Sequence, residues 1–277
     1  QILCGFSVEE IADAFLSKPE TIKKRLHRAR VKLRNDSFQI RELNNAEIAS
    51  RSEAVLKTLY LLFNEGYFSK TNDRQIRKDL CAEAVRLNLM LTENTLTNTP
   101  QANALLALMC YQSSRLEARV DHEGKVILFD EQDKTLWDQS LIEKGHYYLV
   151  NACTGNEVSG YHLEAGIAYW HTTPADKNKW QHILQLYNQL ILAEYSHVTA
   201  LNRVFAFARV YGPEEGIREA AKLTLADGSD YHALLGYLYA GVDTSKAITH
   251  YRQAIKQSKS EAEKQALVRE TERLSFG

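Results

Sequence analysis

Eight lysine and arginine residues stand against a single glutamate between Lys18 and Arg34. A stretch this basic has a polyanion as its natural ligand, because each phosphate that a cation neutralises releases condensed counterions. The side chains through which it would bind are Lys18, Thr21, Lys23, Lys24, Arg25, His27, Arg28, Arg30 and Lys32. These residues predict a surface for nucleic acid, and the plain alternative is a solvated basic helix.

Two helices must hold these side chains in place. Ser7 and Glu10 have the spacing of a capping box, which predicts that a first helix starts at Val8. Pro19 suits the first position of a second helix, because its missing N–H would be unpaired there anyway. Apolar residues then recur at the spacing of a buried stripe, namely Ile22, Leu26, Ala29 and Leu33. Residues 7–34 thus predict a helix-turn-helix in which this stripe packs on the first helix.

A helix-turn-helix divides its contacts between base edges and phosphates. Base edges are read in the major groove from the first turns of the second helix, here Thr21, Lys23, Lys24 and Arg25. We expect the phosphate contacts from Lys18, Arg28, Arg30 and Lys32. His27 lies on the same free face as Lys24 and Arg28.

The same stretch carries a family resemblance. Residues 5–34, GFSVEEIADAFLSKPETIKKRLHRARVKLR, resemble the second half of region 4 of a bacterial sigma-70-type factor of the extracytoplasmic-function kind. The resemblance implies that the second helix reads the −35 promoter element, with that role at Thr21, Lys23, Lys24, Arg25 and Arg28. It also implies RNA polymerase core as a partner. The earlier helices of region 4 and all of region 2 are not in this sequence, so we expect a fragment of a longer protein.

The rest of the chain predicts helices, and we expect an all-α fold overall. After the helix-turn-helix of residues 1–36 comes a polar linker, 37–50, which is expected to turn helical toward its end, and then a helical domain, 51–277. Its helices are predicted at 51–66, 74–91, 101–115, 140–153, 160–170, 178–194, 198–210, 213–225, 229–240, 245–258 and 260–274. One exception is a short β-hairpin predicted over 118–128, with Gly124 at its turn.

The end of the chain indicates a helical repeat. Leu235, Gly236 and Tyr239, followed by Ala247, Tyr251 and Ala254, resemble the two helices of one tetratricopeptide unit. A weaker copy covers 198–225, so the domain is expected to be tetratricopeptide-like toward 197–277. A concave surface of this kind would suit a peptide, a protein or a small ligand.

Longer strings in this domain resemble the C-terminal extension of one subgroup of these sigma factors. They are LYLLFNEGY at 59–67, DLCAEAVRL at 79–87, LLALMCYQSSRLEAR at 105–119, FDEQDKTLWD at 129–138 and SHVTALNRVFAFARVYGPEEG at 196–216. The resemblance implies a fused domain that regulates the factor or contacts polymerase.

Charge and cysteine content limit the alternatives. The 277 residues carry 34 basic and 35 acidic side chains, but residues 1–36 have a net charge of +3 and the remainder −4. Four widely spaced cysteines without a CxxC pair fit a reducing cytoplasm. No signal peptide or membrane-spanning run is visible, so a soluble cytoplasmic protein is expected.

The sequence contains little evidence for a catalytic site. His162, Glu164, His171 and His182 could be considered as metal ligands, but the zinc signatures that would include them are missing. No nucleophile elbow, phosphate loop or dinucleotide fingerprint is present. We therefore expect neither an enzyme nor a cofactor or metal. Two readings of the acidic residues Asp130, Glu131, Asp133 and Asp138 near Arg115 and Arg119 stay open, a partner surface and an internal salt-bridge lattice.

The main alternative function is a helical-repeat scaffold for protein interactions. In that case the basic helix is structural, and the face that carries Lys24 and Arg28 is covered by the rest of the protein.

Overall fold

The protein folds as an array of helices. A computed structural model describes residues 7–14, 17–35, 42–67, 76–121, 127, 129–173, 176–223, 228–258 and 260–276. Regular structure in these ranges consists of α-helices and short 3-10 helices, without a β-strand. The all-α prediction is confirmed.

In chain order, the helices are α1 Val8–Ala14, α2 Pro19–Asn35, α3 Asn45–Tyr67, α4 Lys78–Glu93, α5 Pro100–Ser113, α6 Gln139–Ala152, α7 Gly160–Thr172, α8 Lys179–Ala193, α9 His197–Tyr211, α10 Pro213–Ala220, α11 Ser229–Tyr239, α12 Thr244–Gln257 and α13 Glu261–Phe276. The 3-10 helices are Glu117–Arg119, Phe129–Glu131 and Lys134–Leu136.

The start of α3 corrects the predicted linker. The helix begins at Asn45 and not at residue 51, because Asn44 and Glu47 cap it. The backbone N–H of Glu47 donates to Asn44 Oδ1 at 3.0 Å, and the backbone N–H of Asn44 donates to Glu47 Oε2 at 3.1 Å. This reciprocal pair is a capping box. The box predicted at Ser7 and Glu10 involves a side chain outside the described part of the chain.

Two other helices are shorter than predicted. α4 begins at Lys78 and not at residue 74, since the backbone N–H of Arg77 donates to the carbonyl of Gly66 in α3. α10 ends at Ala220 and not at residue 225. Leu223 N donates to the carbonyl of Ala220, a bond that tightens the chain into a turn.

The predicted hairpin at 118–128 is wrong at its first residues. Ala118 and Arg119 belong to the 3-10 helix Glu117–Arg119, because Ala118 is fully buried and the Arg119 guanidinium lies 3.8 Å from the ring centroid of Tyr67. Val120 is extended, and Ile127 N donates to the carbonyl of Arg119 at 2.8 Å. The predicted turn at Gly124 lies outside the described residues.

α5 is the central helix of the first half. Its residues are buried on every face, among them Leu105, Met109 and Tyr111, and it packs against α3, α4, α6 and α7. The approach of α6 requires Gly145, because a Cβ there would lie 2.6 Å from the Tyr111 ring. The described cysteines, Cys81, Cys110 and Cys153, are all free.

From α8 onward, each helix packs mainly on its neighbours in sequence. Separate small cores join α7 to α8, α9 to α11, and α12 to α13. Successive pairing of this kind is the architecture of helical repeats. The described helices from α8 onward therefore pair in the manner of a helical repeat, whereas α3 to α7 form a bundle around α5.

α11 and α12 form an antiparallel pair of the predicted spacing. Ser229 Oγ donates to the carbonyl of Ala254, and at the other end Lys246 Nζ lies 5.5 Å from the ring centroid of Tyr239. Between them, a Cβ on Gly236 would lie 2.5 Å from the Tyr251 ring. Gly236 therefore allows the two helices to touch.

Replacing Gly236 with alanine tests this contact. The added methyl group must displace the buried Tyr251 ring, so we expect Gly236→Ala to lower the free energy of unfolding by about 1–3 kcal/mol in urea titration. Gly241→Ala is the matched control, because nothing lies within 4 Å of its Cβ position. Equal effects of the two substitutions would contradict the close packing.

His171 is a half-buried histidine among aromatic rings. Its ring meets Phe129 edge to face at 4.9 Å and Trp180 at 5.7 Å, and its Nδ1 has no hydrogen-bond partner among the described residues. Burial lowers the pKa of His171 to about 3, and nearby cations such as Arg115 add to the effect. The imidazole is therefore neutral in the folded protein.

The stability of the fold should depend on this histidine below neutral pH. In the unfolded chain His171 binds a proton near pH 6.5, whereas the folded chain does not until about pH 3. The free energy of unfolding should then fall by roughly 1 kcal/mol per unit as pH drops through this window. Urea titrations at several pH values should show a smaller fall for His171→Phe. The exposed-site control His27→Phe should leave the wild-type pH dependence unchanged, and equal slopes in all three proteins would refute the assignment.

Candidate nucleic-acid interface

A tight corner joins α1 to α2. Ser17 N donates to the carbonyl of Ala12 at 2.8 Å, a bond that closes the end of α1. The carbonyl of Lys18 accepts from Thr21 N and Ile22 N, so α2 begins directly after Lys18 with Pro19 at its first position. The local hydrogen bonds are those of the predicted helix-turn-helix.

Two apolar side chains hold this corner. Ala12 of α1 is 1% exposed and Ile22 of α2 is 3% exposed, and α1 also contacts α3. Leu26 is half-buried.

The predicted buried stripe does not continue along α2. Ala29 and Leu33 are exposed, Leu33 by 42%. The reason is the length of the partner: α1 has seven residues and α2 has 17. At 1.5 Å per residue, α1 can cover only the first turns of α2.

The predicted nucleic-acid contacts lie at the surface. Thr21 is half-buried, and the exposed ones are Lys18, Lys23, Lys24, Arg25, His27, Arg28, Arg30 and Lys32. Lys23 Nζ donates to Glu20 Oε1 at 2.8 Å, which shares its charge with that carboxylate. Lys24, Arg25 and Arg28 form no hydrogen bond or ion pair with any described residue.

The helix divides these side chains between two faces. At 100° per residue, one face carries Thr21, Lys24, Arg25, Arg28 and Lys32 within about 100° of one another. The other side carries Lys23 and Arg30, and His27 lies between the two sides, next to Lys24 and Arg28. Thr21 and Lys23 therefore cannot meet the same base edges, although both stand in the first turns. A helix with cations on two sides can face both phosphate strands of a groove.

The histidines considered for metal binding have other surroundings. His162 Nδ1 lies 2.8 Å from Ser159 Oγ at the start of α7, and His182 stacks on Trp170 at 4.4 Å. His171 lies among the aromatic rings described above. Among the described residues, no three His, Cys, Asp or Glu side chains converge closely enough to hold a metal ion.

Two members of the acidic string at 130–138 have local structural roles. Asp138 Oδ1 accepts from Leu141 N at the start of α6, and Asp133 Oδ1 accepts from Thr135 N. Arg115 instead donates to the Tyr67 hydroxyl at 3.0 Å. These contacts give Asp133 and Asp138 local structural roles, and a partner surface at the acidic string stays a prediction.

A second site was not anticipated from the sequence. A cavity of about 840 Å³ lies between α3, α7 and the adjoining ends of α8 and α9, and we call it the interhelical cavity. Its polar walls include Lys57 and Tyr60 from α3, Tyr161 and Glu164 from α7, and Glu194 at the end of α8. The cavity brings α3 together with α7, α8 and α9, which lie far from α3 in sequence, so no local motif could have revealed it.

Comparison with known proteins gives two matches. Residues 51–153, which span most of α3 to α6, match the model of a family of unknown function (DUF6596). Uncharacterized protein R00370 of Rhizobium meliloti (strain 1021) is 31% identical over 242 residues, which are 86% of this chain and 57% of the relative. The chain therefore spans little more than half the length of that relative. No solved structure matches this chain.

None of the described helices combines the length and apolar character of a membrane-spanning segment.

Truncating Ile22 tests whether the corner holds α2 in place. Ile22→Ala removes the buried side chain that joins α2 to its support, and we expect a local loss of about 2 kcal/mol or more. Hydrogen exchange should then accelerate at the amides of α1 and α2 while those of α5 stay protected. Leu33→Ala, on the exposed end of the same helix, should leave exchange unchanged; acceleration by both variants would argue against the corner.

Proposed function

We propose that this chain is part of a DNA-binding transcription initiation factor of the sigma-70 type, acting in the cytoplasm. In this proposal, α1 and α2 recognise the −35 promoter element, and the helical domain from α3 to α13 regulates the factor or contacts RNA polymerase core. The function is non-catalytic and uses no cofactor.

The observation that carries the proposal is the exposed basic surface of α2 beyond a fixed corner. Ala12 and Ile22 anchor the start of the helix, while its lysine and arginine side chains point to solvent. A rigid helix that presents several cations can enter a major groove without a further rearrangement. The resemblance of residues 5–34 to region 4 adds the promoter element as the expected target.

The proposed DNA contacts are of two kinds, those to base edges and those to phosphates. Lys24, Arg25 and Thr21 lie near the start of the helix, where base edges are read, and a bidentate arginine–guanine pair provides roughly 1–3 kcal/mol of discrimination. Arg28 and Lys32 continue the same face and would neutralise phosphates. Lys23 and Arg30, on the other side, are suited to the opposite strand.

The scaffold alternative makes a different prediction about this surface. It expects the face of Lys24 and Arg28 to be covered, whereas both side chains are exposed among the described residues. The exposure favours nucleic-acid binding over a purely structural helix.

Charge reversal on α2 tests the proposal. We expect the chain to bind a fluorescent DNA duplex with an affinity that falls steeply across a salt series, as measured by fluorescence anisotropy. Lys24→Glu with Arg28→Glu should weaken binding by at least about tenfold and reduce the magnitude of the salt slope by roughly two.

The chain offers a matched control. Arg252 and Lys256 are exposed cations with the same spacing on α12, so Arg252→Glu with Lys256→Glu makes the same change in net charge. The proposal is supported if the α12 control variant still binds DNA and the α2 variant does not. Equal losses, or no salt-dependent binding by the wild-type chain, would refute it.

A further inference from the structure

The interhelical cavity has a surplus of negative charge. Glu53, Glu164 and Glu194 line it, and Lys57 is the basic side chain among its described lining residues. Lys57 Nζ lies 3.5 Å from Glu194 Oε1, so its charge is already matched. Two carboxyl groups are left without a basic partner in the described structure.

Glu164 is the least exposed of these carboxyl groups. It accepts a hydrogen bond from the Tyr60 hydroxyl at 3.1 Å, and no described cation lies within ion-pair distance of it. Burial raises the pKa of Glu164 to about 7, and the charge of Glu194 acts in the same direction. Removing a carboxylate from water without a cation is costly, so a cation in the cavity would restore its ionised form.

Aromatic rings stand beside this carboxyl group. The ring centroids of Tyr60 and Tyr161 are 5.5 Å apart, and both rings belong to the cavity wall. Lys57 Nζ already lies 5.4 Å from the Tyr60 centroid. Aromatic faces next to a carboxylate are the chemistry that recognises ammonium and guanidinium groups.

An anionic ligand fits the cavity less well. The first turns of α7 and α9 border it, and helix N-termini attract anions. Both ends already have capping acceptors, since His162 Nδ1 accepts from Ser159 N and Ser196 Oγ accepts from Thr199 N. The unpaired carboxyl groups would in addition repel an anion.

We propose that the interhelical cavity binds an aliphatic amine or guanidine, with its cationic group between the Glu164 carboxylate and the rings of Tyr60 and Tyr161. The cavity volume of about 840 Å³ is that of a small-molecule site. The cation belongs either to a free metabolite or to a lysine or arginine side chain of a peptide. This site is independent of DNA binding by α2.

Calorimetry on the full chain tests the site with three probes: spermidine, agmatine, and an acetylated, amidated Gly-Arg-Gly peptide. We expect Glu164→Gln to weaken binding by about tenfold or more, because it removes the charge and keeps the shape. Glu143→Gln is the control, since Glu143 is exposed on α6 away from the cavity lining. Tighter binding of the free amines identifies a metabolite, and tighter binding of the peptide identifies a side chain.

Lys57→Gln provides a test that a loss of folding cannot imitate, because the expected change is tighter binding. It removes the cation that competes for the cavity, so amine binding should tighten severalfold. If the cavity bound an anion, the same substitution would weaken binding of that anion.

Proton competition gives a third measurement. The charged and titratable groups that face Glu164 are Lys57 and Tyr60 from α3, Tyr187 and Glu194 from α8 and its end, and Tyr161 from its own helix. Amine affinity should fall as the pH drops below about 7 and Glu164 takes up a proton. The Glu164→Gln variant should lack this fall.

Three results would overturn the site. The first is that none of the three probes gives binding heat at millimolar concentration. The second is an equal loss of affinity in Glu164→Gln and Glu143→Gln, and the third is weaker amine binding in Lys57→Gln.

Discussion

The burial of α5 on all sides is the constraint on which the rest of the helical domain depends. A helix without a polar face is stable only when other helices enclose it, and α3, α4, α6 and α7 do so here. The requirement fixes the places of α3 and α7, which both pack on α5. Because the walls of the interhelical cavity come mainly from α3 and α7, the shape of the cavity follows from this enclosure.

Close approach between helices depends on small residues opposite large ones. Gly145 gives space to the ring of Tyr111, and Gly236 gives space to the ring of Tyr251. A side chain at either glycine would separate two helices that share a core. Small residues lie opposite large ones both in the central bundle and in the repeat-like end of the chain, although the helices of the two regions pack differently.

Nearly balanced overall charge conceals two surfaces of opposite sign. α2 presents cations to solvent, whereas carboxyl groups line the interhelical cavity. Interactions between exposed charges are largely screened beyond about 8–10 Å at physiological salt. Under the two proposals each surface would select its own class of ligand, and the net charge of the chain predicts neither.

The sequence by itself determined the class of the fold and the position of most helices, because helix caps and apolar periodicity are local. It also identified α2 and its basic side chains, since charge can be read directly from residue types. It missed the capping box at Asn44 and placed Ala29 and Leu33 inside, because periodicity does not reveal how long the partner helix is. Only the tertiary structure decided that Glu164 stands beside Tyr60, since that contact joins residues more than a hundred positions apart.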